Sequence, residues 1–313
     1  MSSPVIIVAG PTSSGKSDLA ADIAAEFDGV VINADSMQVY RELPILTAQP
    51  SRQHMSRVPH RLFAIASANE RFSVGAWLRL AVAEIEDSAA RGKLPVVCGG
   101  TGLYLKALNE GLAAIPPIPD AVRQATRALY DRIGGAAFQG RLAARDPVTA
   151  SRLASTDRQR LCRAWDVVET TGKPLSEWHD IASVGPVDSR CCTVLLMPPR
   201  NLIYAACDRR FEAMMAAGAL DEVAALARTG IDRELPAMKA LGVTDLMAYL
   251  AGTATLETAV DRAKRATRNY AKRQMTWFRH QLTPDLTVFE QYSESLQPKI
   301  FPFIREFLLT APV

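Results

Sequence analysis

Gly10-Pro11-Thr12-Ser13-Ser14-Gly15-Lys16-Ser17 decides how this chain is read. The octet fits G-x-x-x-x-G-K-[ST] and stands between two segments of different period. Before it, Val5-Ile6-Ile7-Val8-Ala9 is a continuous apolar run, the pattern of a strand buried on both faces. After it, Leu19, Ile23 and Phe27 fall on one helical face. Strand, glycine-rich turn and helix together make a phosphate site: loop amides and the helix N-terminus converge on one point, where the helix dipole favours an anion. Lys16 adds a charge, and Ser17 adds a hydroxyl for Mg2+. Gly10, Pro11, Thr12, Ser13, Ser14, Gly15, Lys16 and Ser17 are thus the candidate ligand cradle. The motif specifies an anhydride-linked phosphate and leaves the rest of the ligand open.

Further strand-like runs follow at Val30–Asn33, Pro95–Cys98 and Thr193–Met197, with a helical stretch at Ser73–Arg91. Alternating strands and helices predict an α/β fold with a parallel sheet covered on both faces. Pro116, Pro117 and Pro119 then interrupt the pattern, and Asp120 to Trp178 reads as helix rich in Arg and Ala. A turn at Gly185-Pro186 precedes the returning strand. We expect a P-loop parallel-sheet core in two parts, 1–115 and 191–313, with an inserted helical domain at 116–190.

In open α/β sheets the C-terminal strand ends line the ligand crevice. Asn33-Ala34-Asp35-Ser36 leaves the second strand there, so Asp35 should face the phosphate loop. It is open to three roles: metal ligand, general base or helix N-cap. Gly99-Gly100-Thr101-Gly102 ends another strand at the same edge, allowing close backbone approach and offering the Thr101 hydroxyl. Neither later strand ends in the acidic residue a hydrolysing NTPase uses for its metal. A transferase with a phosphate-ester leaving group fits better.

The 313 residues are 48% hydrophobic and 22% charged, an ordinary globular balance, and the net charge of +3 permits a nucleic-acid partner without requiring one. No apolar run is long enough for a bilayer, and the first strand starts too early for a leader, so a cytoplasmic protein without membrane contact is expected. Cys98, Cys162, Cys191, Cys192 and Cys207 form no C-x-x-C pair and read as buried thiols. His54, His179 and His280 have no partners at metal-ligand spacing, and His60 sits at a strand start. From Arg262 to His280 the chain carries seven Arg and Lys residues and no acid, with Tyr270, Trp277 and Phe278 interleaved. Together with the arginines of the insertion, that helix suits a folded RNA backbone.

Six segments, in order, are similar to bacterial tRNA dimethylallyltransferases, the tRNA isopentenyltransferase family. They are the phosphate loop, Asn33–Tyr40, Pro59–Leu62, Gly99–Tyr104, Asp157–Ala164 and Lys272–Arg279. The resemblance implies transfer of the dimethylallyl group of dimethylallyl diphosphate to the exocyclic amine of adenosine 37, beside the anticodon in a tRNA stem-loop. Diphosphate is released. It implies Asp35 as general base, with Lys16, Thr101 and Arg210 stabilising the leaving group beside Mg2+ on Ser17. It also implies tRNA contacts at Asp35, Ser36, Met37, Gln38, Thr101, Arg123, Gln159, Arg160, Leu161, Cys162, Arg163, Lys239, Gly242 and Thr244, and we expect a monomer. Ala206, Val243 and Thr244 depart from the family's usual residues. Other readings are a nucleotide kinase, which would turn over ATP with a small acceptor; a prenyltransferase for free adenine nucleotides, which AMP competition would reveal; and an RNA-binding protein with a vestigial phosphate site.

Overall fold

The structure is a computed structural model that describes residues 3–178, 183–184, 187 and 189–310. His179 and Gly185-Pro186 lie outside the described residues. Two compact units are present. One comprises Met1–Asn109 and Val187–Val313, the other Glu110–Pro186.

The larger unit is built on six parallel strands: β1 (Ser3–Ala9), β2 (Gly29–Asn33), β3 (His60–Arg61), β4 (Leu94–Gly99), β7 (Ser189–Leu196) and β8 (Leu286–Val288), with β5 (Leu112–Ala113) and β6 (Ser183–Val184) belonging to the smaller unit. The sheet order is β3-β2-β4-β1-β7-β8. β1 is central because it pairs with β4 on one side and β7 on the other, through registers such as Val8 with Cys98 and Val8 with Val194. A strand so placed has no solvent face, which explains the uninterrupted run Val5–Ala9.

Ile6 and Val8 pack with Leu19 and Ile23 of the helix Lys16–Glu26 and with Ile300 and Ile304 of the terminal helix Gln297–Leu309. Each such side chain, fully withdrawn from water, stabilises the fold by about 1.5–3 kcal/mol. A second cluster joins Val39, Tyr40, Leu43 and Leu46 to Phe211 and Met214 of the helix Arg200–Ala216, and to Ala259 and Ala263 of the helix Leu256–Gln281. That packing holds the segment after β2 and the face carrying Arg210.

The smaller unit starts ahead of the expected boundary at residue 116. β5 pairs antiparallel with β6, so the proline run lies inside the unit, after its first strand. Its end is also earlier than residue 190, because β7 already begins at Ser189. Between them the helices Asp120–Ile133, Gly135–Ala143, Pro147–Arg152, Arg158–Thr171 and Leu175–Trp178 enclose Phe138, Leu142, Leu161 and Ala164.

Candidate active site

The phosphate loop turns through two left-handed residues, Ser13 (φ 63°) and Gly15 (φ 87°). Gly15 caps the helix Lys16–Glu26 without a side-chain acceptor, leaving its first amides for an incoming anion. The Ser14 hydroxyl is buried and has no hydrogen-bond partner among the described residues. Two cations converge here. Lys16 folds back over the loop, 3.4 Å from the Pro11 carbonyl, and Arg210 donates from Nη2 to the Thr12 hydroxyl. Burial lowers the pKa of both; Cys98 and Asp35 oppose this at Lys16, and Cys207 and Asp35 at Arg210. Desolvated positive charge in one crevice is what a bound polyphosphate would relieve.

Asp35 forms the facing wall. Asn33, at the end of β2, accepts the Asp35 amide at 2.8 Å and donates to the Asp35 carbonyl at 3.0 Å. Its own carbonyl is anchored by the Trp77 indole N–H at 2.7 Å. Asp35 Oδ1 then accepts the Met37 amide at 2.9 Å. These side-chain-to-backbone bonds make turns, and no helix follows Asp35, so the helix-cap role falls away. Phosphate loop and carboxylate line one cavity of about 470 Å3, together with Gln38, His54, His60, Arg209 and Arg210.

A third element locks the crevice. Gln274, on the helix Leu256–Gln281, accepts the Thr12 amide through Oε1 (2.8 Å) and donates from Nε2 to the Gly100 carbonyl (2.8 Å). One buried amide therefore ties the phosphate loop to the loop after β4. The glycines there serve close approach: a Cβ on Gly100 would collide with Gln274, and one on Gly99 with the Ala34 backbone. Sequence reading marks Gln274 only as part of a similar segment, because its two partners lie far away in the chain.

The Thr101 hydroxyl accepts the Ser36 amide at 2.9 Å and lies 3.2 Å from the Ser36 hydroxyl, so it supports the Asp35–Ser36 turn. Gln38 donates to the Thr47 and Ala48 carbonyls and is tied to the cavity rim. Lys239 and Thr244 are exposed, whereas Gly242 is a buried left-handed turn before the helix Val243–Leu250. The departures Ala206 and Val243 are both buried, Ala206 lining the cavity and Val243 within the second cluster.

Within the smaller unit, Gln159, Arg160 and Arg163 are exposed, while Leu161 and Cys162 point into its core. Arg123 bonds the Ile118 carbonyl and lies 3.9 Å from Asp120. Part of the basic track serves packing: Arg268 is held by Asp208 and Lys264 by Glu212. Arg262, Arg265, Lys272, Arg273 and Arg279 of the same helix are exposed. All five cysteines are free thiols, and among the described residues no group of three or more His, Cys, Asp or Glu is placed to hold a metal.

The profile of the family described as IPP transferase matches residues 38–281. The chain belongs to this family. The tRNA dimethylallyltransferase of Paramagnetospirillum magneticum is 51% identical over 311 residues, covering 99% of both chains. That of Rhodospirillum rubrum is 48% identical, over 99% of this chain and 96% of its own. Among solved structures, a full-length tRNA isopentenylpyrophosphate transferase of Bacillus halodurans superposes with TM-score 0.70 at 32% identity, covering 98% and 97% of the two chains. A eukaryotic dimethylallyltransferase acting on tRNA gives TM-score 0.85 at 26% identity, over all of this chain and 81% of that one. Family membership and a shared fold thus meet in a chain whose crevice joins a phosphate-loop motif, two desolvated cations and Asp35. No described helix of this IPP transferase is long and apolar enough to cross a membrane.

Proposed function

We propose that this protein is a tRNA dimethylallyltransferase, which moves the dimethylallyl group of dimethylallyl diphosphate onto the exocyclic amine of adenosine 37 in the anticodon stem-loop. The observation that carries the reading is the single cavity shared by the phosphate loop, two desolvated cations and Asp35. The bond formed is amine nitrogen to prenyl C1, and the bond broken is C1 to diphosphate oxygen. Lys16, Arg210 and the free loop amides take up charge on the departing diphosphate. An exocyclic adenine amine is a weak nucleophile, so a base that removes its proton during attack lowers the barrier. Asp35 suits this role: the Met37 amide fixes one carboxylate oxygen and sets the direction of the other. The base leaves its stack to reach the crevice.

Mg2+ fits the donors present, because a hard cation takes oxygen ligands and the Ser17 hydroxyl and the Asp18 and Asp35 carboxylates line the cavity. With so few protein ligands, the diphosphate itself would supply most of the rest. Bound there, the ion would draw negative charge from the leaving group.

A phosphate loop alone would suit a nucleotide kinase equally well; membership of the IPP transferase family disfavours it. Acting on tRNA, the enzyme works in the cytoplasm, and as a monomer, since one chain carries loop, base and cations. Labelled dimethylallyl diphosphate mixed with unmodified tRNA should place label in the RNA at adenosine 37, with an excess of AMP leaving the yield unchanged. Absence of transfer by folded protein, or label diverted to AMP, would reject the assignment.

A further inference from the structure

Behind the phosphate loop lies a network that the reaction scheme above does not use, and all of it but Arg57 lies outside the matched family profile. Asp22, on the helix Lys16–Glu26, is 8% exposed. Its Oδ1 accepts Arg57 at 2.7 Å; its Oδ2 accepts the Tyr292 hydroxyl at 2.8 Å and Gln297 Nε2 at 3.1 Å. The donors come from three separate elements: the helix Arg52–Arg57, the segment after β8 and the start of the terminal helix. A carboxylate with few contacts to water and three donors holds those elements in one arrangement.

Tyr292 also reaches the loop. Its amide donates to the Ser14 carbonyl at 3.1 Å, and the neighbouring Gln291 side chain donates to the Ser13 carbonyl at 3.3 Å. A Cβ on Gly15 would stand 2.7 Å from Tyr292 Cβ, so strap and loop are in direct contact. Geometry gives this contact a consequence. In a trans peptide the carbonyl of one residue and the amide of the next point in opposite directions. Gripping the Ser14 carbonyl from behind therefore aims the Gly15 amide the other way, and Gly15 lines the cavity. The same grip falls between Ser13 and Gly15, the two left-handed residues, a conformation that is unfavourable for a non-glycine residue and has to be held.

We infer that the segment Gln291–Tyr292 is a strap that preorganises the phosphate loop, and that Tyr292 and Asp22 are positioning residues for diphosphate capture. The inference rests on the diphosphate reading of the crevice. The Tyr292 hydroxyl does not touch the ligand; it fixes the backbone that does.

The test is titration of Mg2+ and inorganic pyrophosphate into the intact protein by calorimetry, with steady-state transfer alongside. Tyr292→Phe removes the bond to Asp22 together with the weaker 3.3 Å bond from Gln297, and Gln291→Ala, at an exposed position on the cavity wall, removes the grip on Ser13 while leaving the fold intact. Tyr292→Phe should weaken pyrophosphate binding about tenfold and raise the KM for the prenyl donor by a similar factor, as expected for loss of a hydrogen bond to a charged group. Its kcat and its Kd for tRNA should stay within about twofold of wild type. Gln291→Ala should shift the same two quantities by about threefold, as a neutral hydrogen bond would. A folded Tyr292→Phe or Gln291→Ala protein with wild-type pyrophosphate affinity and donor KM overturns the strap, even where Tm has fallen. Failure of the wild-type protein to bind pyrophosphate overturns the diphosphate reading itself.

Discussion

The crevice of the larger unit and the helical unit Glu110–Pro186 hold their functional side chains in different ways. In the crevice the turns that carry the site are fixed by hydrogen bonds between side chain and backbone: Asn33 clasps Asp35, Gln274 bridges Thr12 and Gly100, and Thr101 supports Ser36. In the helical unit a small core of Phe138, Leu142, Leu161 and Ala164 supports arginines that reach outward, several paired with acids of the same unit, as Arg145 is with Glu169 and Arg158 with Asp131. The first arrangement suits chemistry, where a group must be held to a fraction of an ångström. The second suits grip on a charged polymer, where long side chains adapt and each ion contributes modestly.

Substitutions should separate the two. The largest effect is expected in the crevice: Asp35→Asn keeps the acceptor for Met37 but loses the base, so kcat should fall about a thousandfold with pyrophosphate and tRNA still bound. Single-turnover transfer under saturating substrates measures this, and turnover near wild type would take the proton away from Asp35. Next comes a contrast inside one segment of the helical unit. Leu161→Ala should lower unfolding free energy by about 3 kcal/mol through the cavity it leaves, whereas exposed Arg160→Ala should change it by less than about 0.5 kcal/mol. Denaturant unfolding followed by a helix-sensitive signal reads both. Smaller again, Arg163→Ala should weaken tRNA binding about fivefold and reduce the slope of log affinity against log salt by about 1, with the donor KM unchanged. An unaltered slope would move Arg163 off the RNA.

The smallest effect concerns the sign of a stability change. Burial holds the Lys16 pKa below 10.5, so its charged form is disfavoured by folding. Between the lowered pKa and 10.5 the unfolded chain binds the additional proton, and the Lys16 contribution to stability rises with pH through that window. Lys16→Met should abolish this rise and leave the Tm of the ligand-free protein no lower than wild type. A clear drop in Tm would mean that Lys16 supports the fold as well as the ligand.

What the sequence made legible follows the same division. The phosphate loop could be read because strand, turn and helix are contiguous, and each demands its own residue types: apolar run, glycine, periodic face. Asp35 was legible for the same reason, being two residues past a strand end. The hydrogen bonds of Gln274 and Tyr292 were not, because their loop partners lie 262 positions away for Thr12 and almost the whole chain away for Ser14. β8 escaped notice too: three residues after Pro284 and Asp285 carry too little pattern to stand out, and their register comes from β7. The basic helix illustrates a further limit. Its charge was plain in sequence, but whether Arg268 faced a phosphate or Asp208 depended on which helix packed beside it.

Gln274 sits on a helix of 26 residues, a rod about 39 Å long at the usual rise. Its neutral amide needs both its oxygen and its nitrogen, one for an N–H and one for a C=O, so the rod can take only one rotational setting at that point. The rod is pinned there, and turning it about its axis would break one of the two bonds that join the Thr12 amide to the Gly100 carbonyl.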